Sequence, residues 1–253
     1  MKRAFVEIKN KFGTVHILLN NAGISHSSQA LFLTAEKASE MININFLGAF
    51  IVSKEAAKLM MKSKFGRIVN IGSICSTVEP IGASIYSATK AAADMLILAW
   101  GRTYNLPYII IRPTNNYGVG QYVEKLIPKT CKYLKLDKKV PLHNNGTPIR
   151  NWLHAHDTAR AIITIINKEV QNEIYNIAGG FEQSNYDTVA KVIKAYNGGD
   201  IENHLDLTYS RVGQDIRYAL DDSKLKALGW KPEAEFKDSL VEIVKYYKEN
   251  FIW

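Results

Sequence analysis

Cysteine is scarce: Cys75 and Cys131 are the two in 253 residues. Two separated thiols make neither a disulfide framework nor a metal spacing, so reduced thiols and a cytoplasmic protein are expected. Long apolar runs are missing too, none approaching the roughly 20 residues that span a bilayer. The opening MKRAFVEIKNKFG has no long apolar segment of a secretory leader, and no membrane partner is expected. A dinucleotide fingerprint is also absent: Gly118-Val-Gly120 has no third glycine where a helix should open. His154-Ala-His156-Asp157 lacks the third and fourth converging ligands of a metal site, so no metal is expected and Asp157 reads as the cap of a helix running through Ile166. Acidic residues are outnumbered, 24 against 32 basic ones, for a net charge of +8. The densest basic run, Lys129, Lys132, Lys135, Lys138 and Lys139, reads as a solvated helix face and its exit. It has no aromatic interleaving, so no nucleic-acid partner is expected, and the charge suits small anions such as nucleotide diphosphates.

What is present is a regular alternation. Met1 to Lys11 reads as the end of an amphipathic helix broken by Gly13, and Val15 to Leu19 as a short strand closed by Asn20-Asn21-Ala22-Gly23. Thr34 with Glu36 starts a helix that runs through Asn45 toward Met61, apolar on more than one face. Ile68 to Ile71 is a buried strand, Pro80 and Gly82 mark a loop, Ser84 to Arg102 is a helix, and Tyr108 to Ile111 a further strand. Strands and helices of these lengths imply parallel crossovers in a doubly wound α/β sheet, whose ligands sit at the carboxyl ends of the strands. Asn20 to Gly23, Ser73 and Arg112 to Asn116 are thereby expected to converge on one crevice. Asn145-Gly146 reads as a turn, and Lys237 to Phe251 as a closing amphipathic helix.

The chemistry centres on Ser73 to Lys90, SICSTVEPIGASIYSATK. Tyr86 and Lys90 are four apart and share a helical face. A phenol titrates near 10, so it serves as an acid/base near neutrality only when a neighbouring ammonium favours the phenolate, the role that falls to Lys90. Ser73 would hold a substrate oxygen while the proton moves. Singly, Ser73 also reads as a strand end, Asn45 as an ordinary polar helix residue, and Lys90 as a solvated side chain.

In combination, Asn20-Asn21-Ala22-Gly23, Asn45 in NINFLG, Ser73 and Tyr86-x-x-x-Lys90 resemble the short-chain dehydrogenase/reductase superfamily and its Asn-Ser-Tyr-Lys tetrad. Residues 1–84 resemble its single-domain reductases. Residues 85–253, with RPTNNYGVGQYVEKLIP, VPLHNNGTPIRNWLHAHDTARA, EIYNIAGG and GQDIRYALDDSKLKALGWKP, resemble its extended nucleotide-sugar enzymes of the dTDP-glucose 4,6-dehydratase type. The resemblance implies a partial Rossmann-like sheet lacking its first βαβα units (1–118), followed by a smaller α/β substrate lobe (119–253) with segments returning to the core. It implies NAD or NADP as cofactor, held by Asn21, Ala22, Gly23, Tyr86, Lys90, Arg112 and Pro113, with Asn45 anchoring a water or backbone relay. It places Asn115 and Asn116 by the sugar and diphosphate, and Glu124, Lys125 and Leu126 at a helix opening over the nucleotide. Arg150 and Arg217 would meet phosphates or ribose; each, taken alone, also reads as a surface salt bridge. A homodimer is expected through helices like that of Tyr86.

Two departures from the superfamily shape the expectation. The glycine-rich opening is missing, which points to a truncated chain. The junction near Ser84 points to a chimera. Extended dehydratases carry Thr-Asp-Glu where this chain has Ser73-Ile74-Cys75, so the acid and base that expel water are not there. Oxidation, reduction or epimerisation at C4 of a nucleotide sugar is the leading expectation. The alternative is a catalytically silent protein that binds nucleotide sugar or partners a complete relative.

Overall fold

The structure, a computed structural model, describes residues 2–26, 28–78, 82–210, 215–217 and 219–250. In chain order the elements are α1 (Lys2–Phe12), β1 (Ile17–Asn20), α2 (Ala35–Met41), a π-helical turn (Ile42–Gly48), α3 (Ala49–Ser63), β2 (Arg67–Ile71), α4 (Ser84–Tyr104), β3 (Tyr108–Pro113), β4 (Asn115–Tyr117) and α5 (Leu126–Lys135). There follow β5 (Val140–Pro141), β6 (Ile149–His154), α6 (Ala155–Asn167), β7 (Glu173–Ile177), β8 (Phe181–Ser184), α7 (Asn185–Tyr196), β9 (Leu205–Asp206), α8 (Ser223–Lys226) and α9 (Phe236–Glu249). They form two compact units: Met1–Pro113 with Ile165–Asn176, and Thr114–Thr164 with Ile177–Trp253.

The first unit is built on a sheet of order β1-β2-β3-β7. β1, β2 and β3 are parallel, with Asn20 opposite Asn70 and Ile71 opposite Ile111. The apolar runs are what crossovers require: β2 is buried along Arg67 to Asn70, and Ile68 and Ile110 pack with Ala56, Met60, Ile97 and Leu106. Local signals set the ends of the helices. The Thr34 side chain accepts from the Lys37 amide at the start of α2, and Asn105, in the left-handed region at φ 48°, stops α4. The single helix expected from Thr34 to Met61 is interrupted by the π-helical turn, which carries Asn45. Such turns concentrate at functional sites, because the extra residue re-aims a side chain.

The second unit has a three-stranded sheet, β4-β6-β8, and a two-stranded pair, β5-β9. Its core stacks aromatics: Phe181 on Phe236 with centroids 5.0 Å apart, and Tyr117 edge-on to Trp152 at 5.9 Å. Asn144, Asn145 and Gly146 take φ of 50°, 53° and 70°, which makes the expected turn.

Asp157 requires a correction. It lies inside the first turn of α6 rather than capping it. Its carboxylate receives the backbone amides of Glu233 (3.1 Å) and Ala234 (3.0 Å) and the Arg160 guanidinium (2.9 Å), while its carbonyl accepts from Trp230 Nε1. At 1% exposure it ties the approach to α9 onto α6. Pro80 and Phe251 lie outside the described residues.

Candidate active site

Three parallel strands end on the same side of the first unit, and the chain leaving them carries the expected residues. Asn21, Ala22 and Gly23 follow β1, Ser73 follows β2 by two residues, and Arg112 and Pro113 close β3. The loop after β1 is fixed from the π-helical turn. Asn45 is 3% exposed; its Oδ1 accepts from the Ile24 amide at 2.8 Å and its Nδ2 donates to the Ile24 carbonyl at 2.9 Å. The same Nδ2 donates to Thr89 Oγ1 at 3.1 Å, one hydroxyl on the Tyr86 helix. Asn45 is therefore a clasp between the backbone of the loop and a hydroxyl of the helix.

Ser73 starts a short 3-10 turn, Ile74–Ser76, with its Oγ accepting the Cys75 amide at 3.2 Å. Its hydroxyl stands close enough to the Tyr86 phenol to favour the phenolate. Lys90 is buried and donates from Nζ to the Ile71 carbonyl at 2.8 Å. The structure thus brings Asn45, Ser73, Tyr86 and Lys90 together in one unit.

The electrostatics depart from the expectation in one respect. Burial pushes the Tyr86 phenol above its ordinary range, and the nearby Cys75 adds to the rise; the Ser73 hydroxyl acts the other way but does not reverse it. Lys90, enlisted to lower that value, is turned to the Ile71 carbonyl, and burial lowers its own pKa, with Asp94 and Cys75 opposing. In this state the phenol is held protonated. Its proton leaves only when charge is added beside it or when a substrate oxygen competes for it.

Gly23 supplies room. A Cβ built there would stand 3.2 Å from Lys90 Nζ and 3.4 Å from Asn45 Oδ1, so a side chain would crowd the ammonium. An ammonium carries three donors, and Ile71 is the acceptor for one; among the described residues none takes the others. Asn21 and Ala22 are exposed on the same loop. Arg112, expected at a cofactor, has Nη2 drawn to Asp94 Oδ2 at 3.2 Å in a largely buried ion pair. Sequence reasoning missed Asp94, although its place four residues after Lys90 on α4 was a readable signal.

In the second unit, Asn115 and Asn116 form most of β4, beside Trp152 and Leu153 of β6. Asn116 accepts from Thr158 Oγ1 at 2.6 Å and donates to the Thr114 carbonyl at 3.1 Å, while the Asn115 amide nitrogen is buried without a protein partner. Glu124 and Lys125 pair at 3.2 Å immediately before α5, which opens at Leu126 as expected. Arg150, on β6, donates to the Ile149 and Asp215 carbonyls. Arg217 bridges to Ile149 and pairs with Glu182 at 2.8 Å, its side chain 55% exposed. The two arginines thus neighbour the same edge of β6. Among the described residues no group of three or more His, Cys, Asp or Glu could hold a metal, and no helix is long and apolar enough to cross a membrane.

Against this geometry, two family models match. One, described as short chain dehydrogenase, covers residues 1–113. The other, GDP-mannose 4,6 dehydratase, covers residues 63–243. Both include Ser73, Tyr86 and Lys90. A low-salt glycan biosynthesis protein of Haloferax volcanii is 40% identical over 162 residues, 64% of this chain and 52% of that protein. A dTDP-glucose 4,6-dehydratase of Streptomyces niveus is 35% identical over 229 residues, 85% of this chain and 66% of its own length. The chain thus spans between half and two thirds of these relatives. A solved dTDP-glucose 4,6-dehydratase of Bacillus anthracis, in complex with NAD, superposes with a TM-score of 0.79 at 28% identity, over 99% of this chain and 78% of that one. The parallel sheet is Rossmann-like.

Proposed function

Because the chain belongs to the GDP-mannose 4,6 dehydratase family, we propose that it is an NAD(P)-dependent oxidoreductase that moves a hydride and a proton at C4 of a nucleotide sugar. The observation that carries this reading is the meeting of the Tyr86 phenol with Ser73, one helical turn from a buried Lys90 that keeps ammonium donors for a ligand. The NAD-bound dehydratase from Bacillus anthracis supports the choice of cofactor. The ammonium donors that Lys90 keeps beside Gly23 suit the hydroxyls of a ribose, which Lys90 would hold. When bound, the dinucleotide supplies a carbon that accepts or returns hydride.

Every other part belongs to the chain. As the phenolate, Tyr86 would take the proton of the C4 hydroxyl while hydride leaves C4, and as the phenol it would give the proton back to the ketone oxygen when hydride returns. Ser73 orients that oxygen, Lys90 supplies positive charge as the phenol ionises, and Asn45 keeps the loop after β1 against α4. In the second unit, Asn115 and Asn116 serve the sugar and diphosphate, Glu124, Lys125 and Leu126 the nucleotide, and Arg150 and Arg217 its phosphates, since a guanidinium fork suits phosphate oxygens. The turn Ile74–Ser76 offers no carboxyl group, so oxidation, reduction or epimerisation is favoured over loss of water. We place the protein in the cytoplasm, in keeping with Cys75 and Cys131 standing outside any disulfide, as a homodimer associated through α4.

The test has two parts: titration of the chain with NADH and NADPH followed by fluorescence, and incubation of the chain and NAD+ or NADP+ with dTDP-, UDP- or GDP-glucose, where oxidation at C4 is read as NAD(P)H formed at 340 nm. Saturable binding below roughly millimolar, about 4 kcal/mol of affinity, with turnover that Tyr86→Phe abolishes, is the expected result. One observation favours a second reading, a chain that binds nucleotide sugar without turnover or partners a complete relative: β1 stands at an open edge of the sheet. Nucleotide-sugar binding without any NAD(P)H binding would select it.

A further inference from the structure

Asp94 takes no part in the chemistry above, yet it lies where it governs that chemistry. It follows Lys90 by four residues and Tyr86 by eight on α4, so the three share one helical face. It is 3% exposed. Its Oδ1 accepts from Asn70 Nδ2 at 3.0 Å and its Oδ2 from Arg112 Nη2 at 3.2 Å. A Cβ on Gly72 would stand 3.0 and 3.2 Å from these two oxygens, so glycine is what lets the carboxylate lie against the backbone there.

The consequence is a grip on three consecutive residues at the end of β2. Asp94 holds the side chain of Asn70, Lys90 holds the carbonyl of Ile71 at 2.8 Å, and the Gly72 amide donates to the Ile111 carbonyl at 2.8 Å. Ser73 is the next residue. A buried carboxylate is costly unless it is paired, and here Arg112, reaching from β3, is its partner.

We propose that Asp94 is a positioning residue: with Arg112 it locks the exit of β2 so that Ser73 meets Tyr86, and its negative charge holds the buried Lys90 as an ammonium. The inference rests on the reading of Tyr86 and Lys90 as the reacting pair. The groups around Lys90 are few. Asp94 faces it from its own helix, Tyr86 lies one turn before, Cys75 comes from the turn after β2, the Ile71 carbonyl from β2, and Asn45 borders the space beside its ammonium. Arg112, from β3, pairs with Asp94. Burial lowers the proton affinity of Lys90, and the charge of Asp94 is the main influence opposing it. Neutralising Asp94 removes that attraction and leaves the Arg112 cation without its counter-charge, so both changes act on Lys90 in the same direction.

The experiment reads Lys90 directly and needs no turnover. The full chain is labelled with 13C-lysine, the Lys90 ε-carbon signal is assigned by its loss in Lys90→Arg, and its titration is followed by NMR. In Asp94→Asn the midpoint is expected to fall by about one unit or more, a tenfold loss of proton affinity. In Arg112→Gln, which removes the competing cation and keeps the carboxylate, it is expected to rise. A folded Asp94→Asn chain, judged by its amide dispersion, with an unchanged Lys90 midpoint overturns the proposal. If Asp94→Asn does not fold, Arg112→Gln decides alone, and an unshifted or lowered midpoint there overturns it. Failure of the NAD(P)H titration would leave this readout intact, so the two inferences fail separately.

Discussion

A phenol held protonated by its surroundings is the central residue-level fact of the first unit. Tyr86 stands above its ordinary range chiefly because burial disfavours the phenolate. The sign has a consequence for stability. Between pH 10, where the unfolded chain releases this proton, and the higher pH at which the folded chain does so, the folded state binds more protons, so stability falls as pH rises through that window. Wild type minus Tyr86→Phe should therefore show phenolate absorbance near 295 nm emerging only above pH 10, and Tyr86→Phe should lose less stability than wild type over the same window. A midpoint at or below 10 would show that Lys90 already acts on the phenol in the free chain. The Tyr86 and Lys90 pair was legible in the sequence, because helical periodicity alone puts residues four apart on one face. Asp94 was not read, although the same periodicity holds for it. A carboxylate in a helix reads as a solvated side chain by default, and only the crossing of β2 and β3 over α4 shows it buried with Asn70 and Arg112.

Elements were legible where one residue sets an end or an apolar run fills a strand. The Thr34 cap and the β2 run fell where local chemistry puts them, while α4 runs two residues past the expected Arg102 to Tyr104 and the opening of α5 at Leu126 was indicated by resemblance alone. The interruption of the helix after Met41 was hidden, since ININFLG has apolar residues on more than one face and no proline or glycine break before Gly48. Asp157 was hidden for another reason: its position at a helix start is the sequence signature of a cap, whereas its partners, Glu233 and Ala234, lie more than seventy residues away. That long-range role carries a prediction about the element it anchors. Asp157→Ala leaves two backbone amides and the Arg160 guanidinium without their shared acceptor, and removing one partner of a buried charged network costs about 3–5 kcal/mol. A urea titration should show the unfolding free energy lowered by that amount, read as an earlier midpoint at a retained slope, and Asp157→Asn, which keeps one oxygen, should recover part of it. If Asp157→Ala unfolds at the wild-type midpoint, the carboxylate does not anchor the approach to α9.

At the scale of the whole molecule, β1 is the terminal strand of the first unit's parallel sheet among the described residues, and it pairs with β2 on one side. Along it Ile17 and Leu19, two apart and hence on one face, are each 45% exposed, while Leu18 packs into the core. An edge with apolar residues and no bulge, proline or charge is a template for pairing with another strand. Neither Ile17 nor Leu19 is needed for the core cluster, so lysine at Leu19 should change association without loosening the fold. Sedimentation of the wild-type chain should therefore show a mass that grows with concentration, and Leu19→Lys should shift it toward the single chain at an unchanged unfolding midpoint. Association that persists in Leu19→Lys and vanishes on substituting exposed positions of α4 such as Met95, which is 63% exposed, would instead assign self-pairing to the Tyr86 helix. The two outcomes differ in what they leave for function. Pairing along α4 would couple two sets of Tyr86, Lys90 and Ser73, whereas pairing along β1 would occupy the strand edge next to the loop that carries Asn21, Ala22 and Gly23.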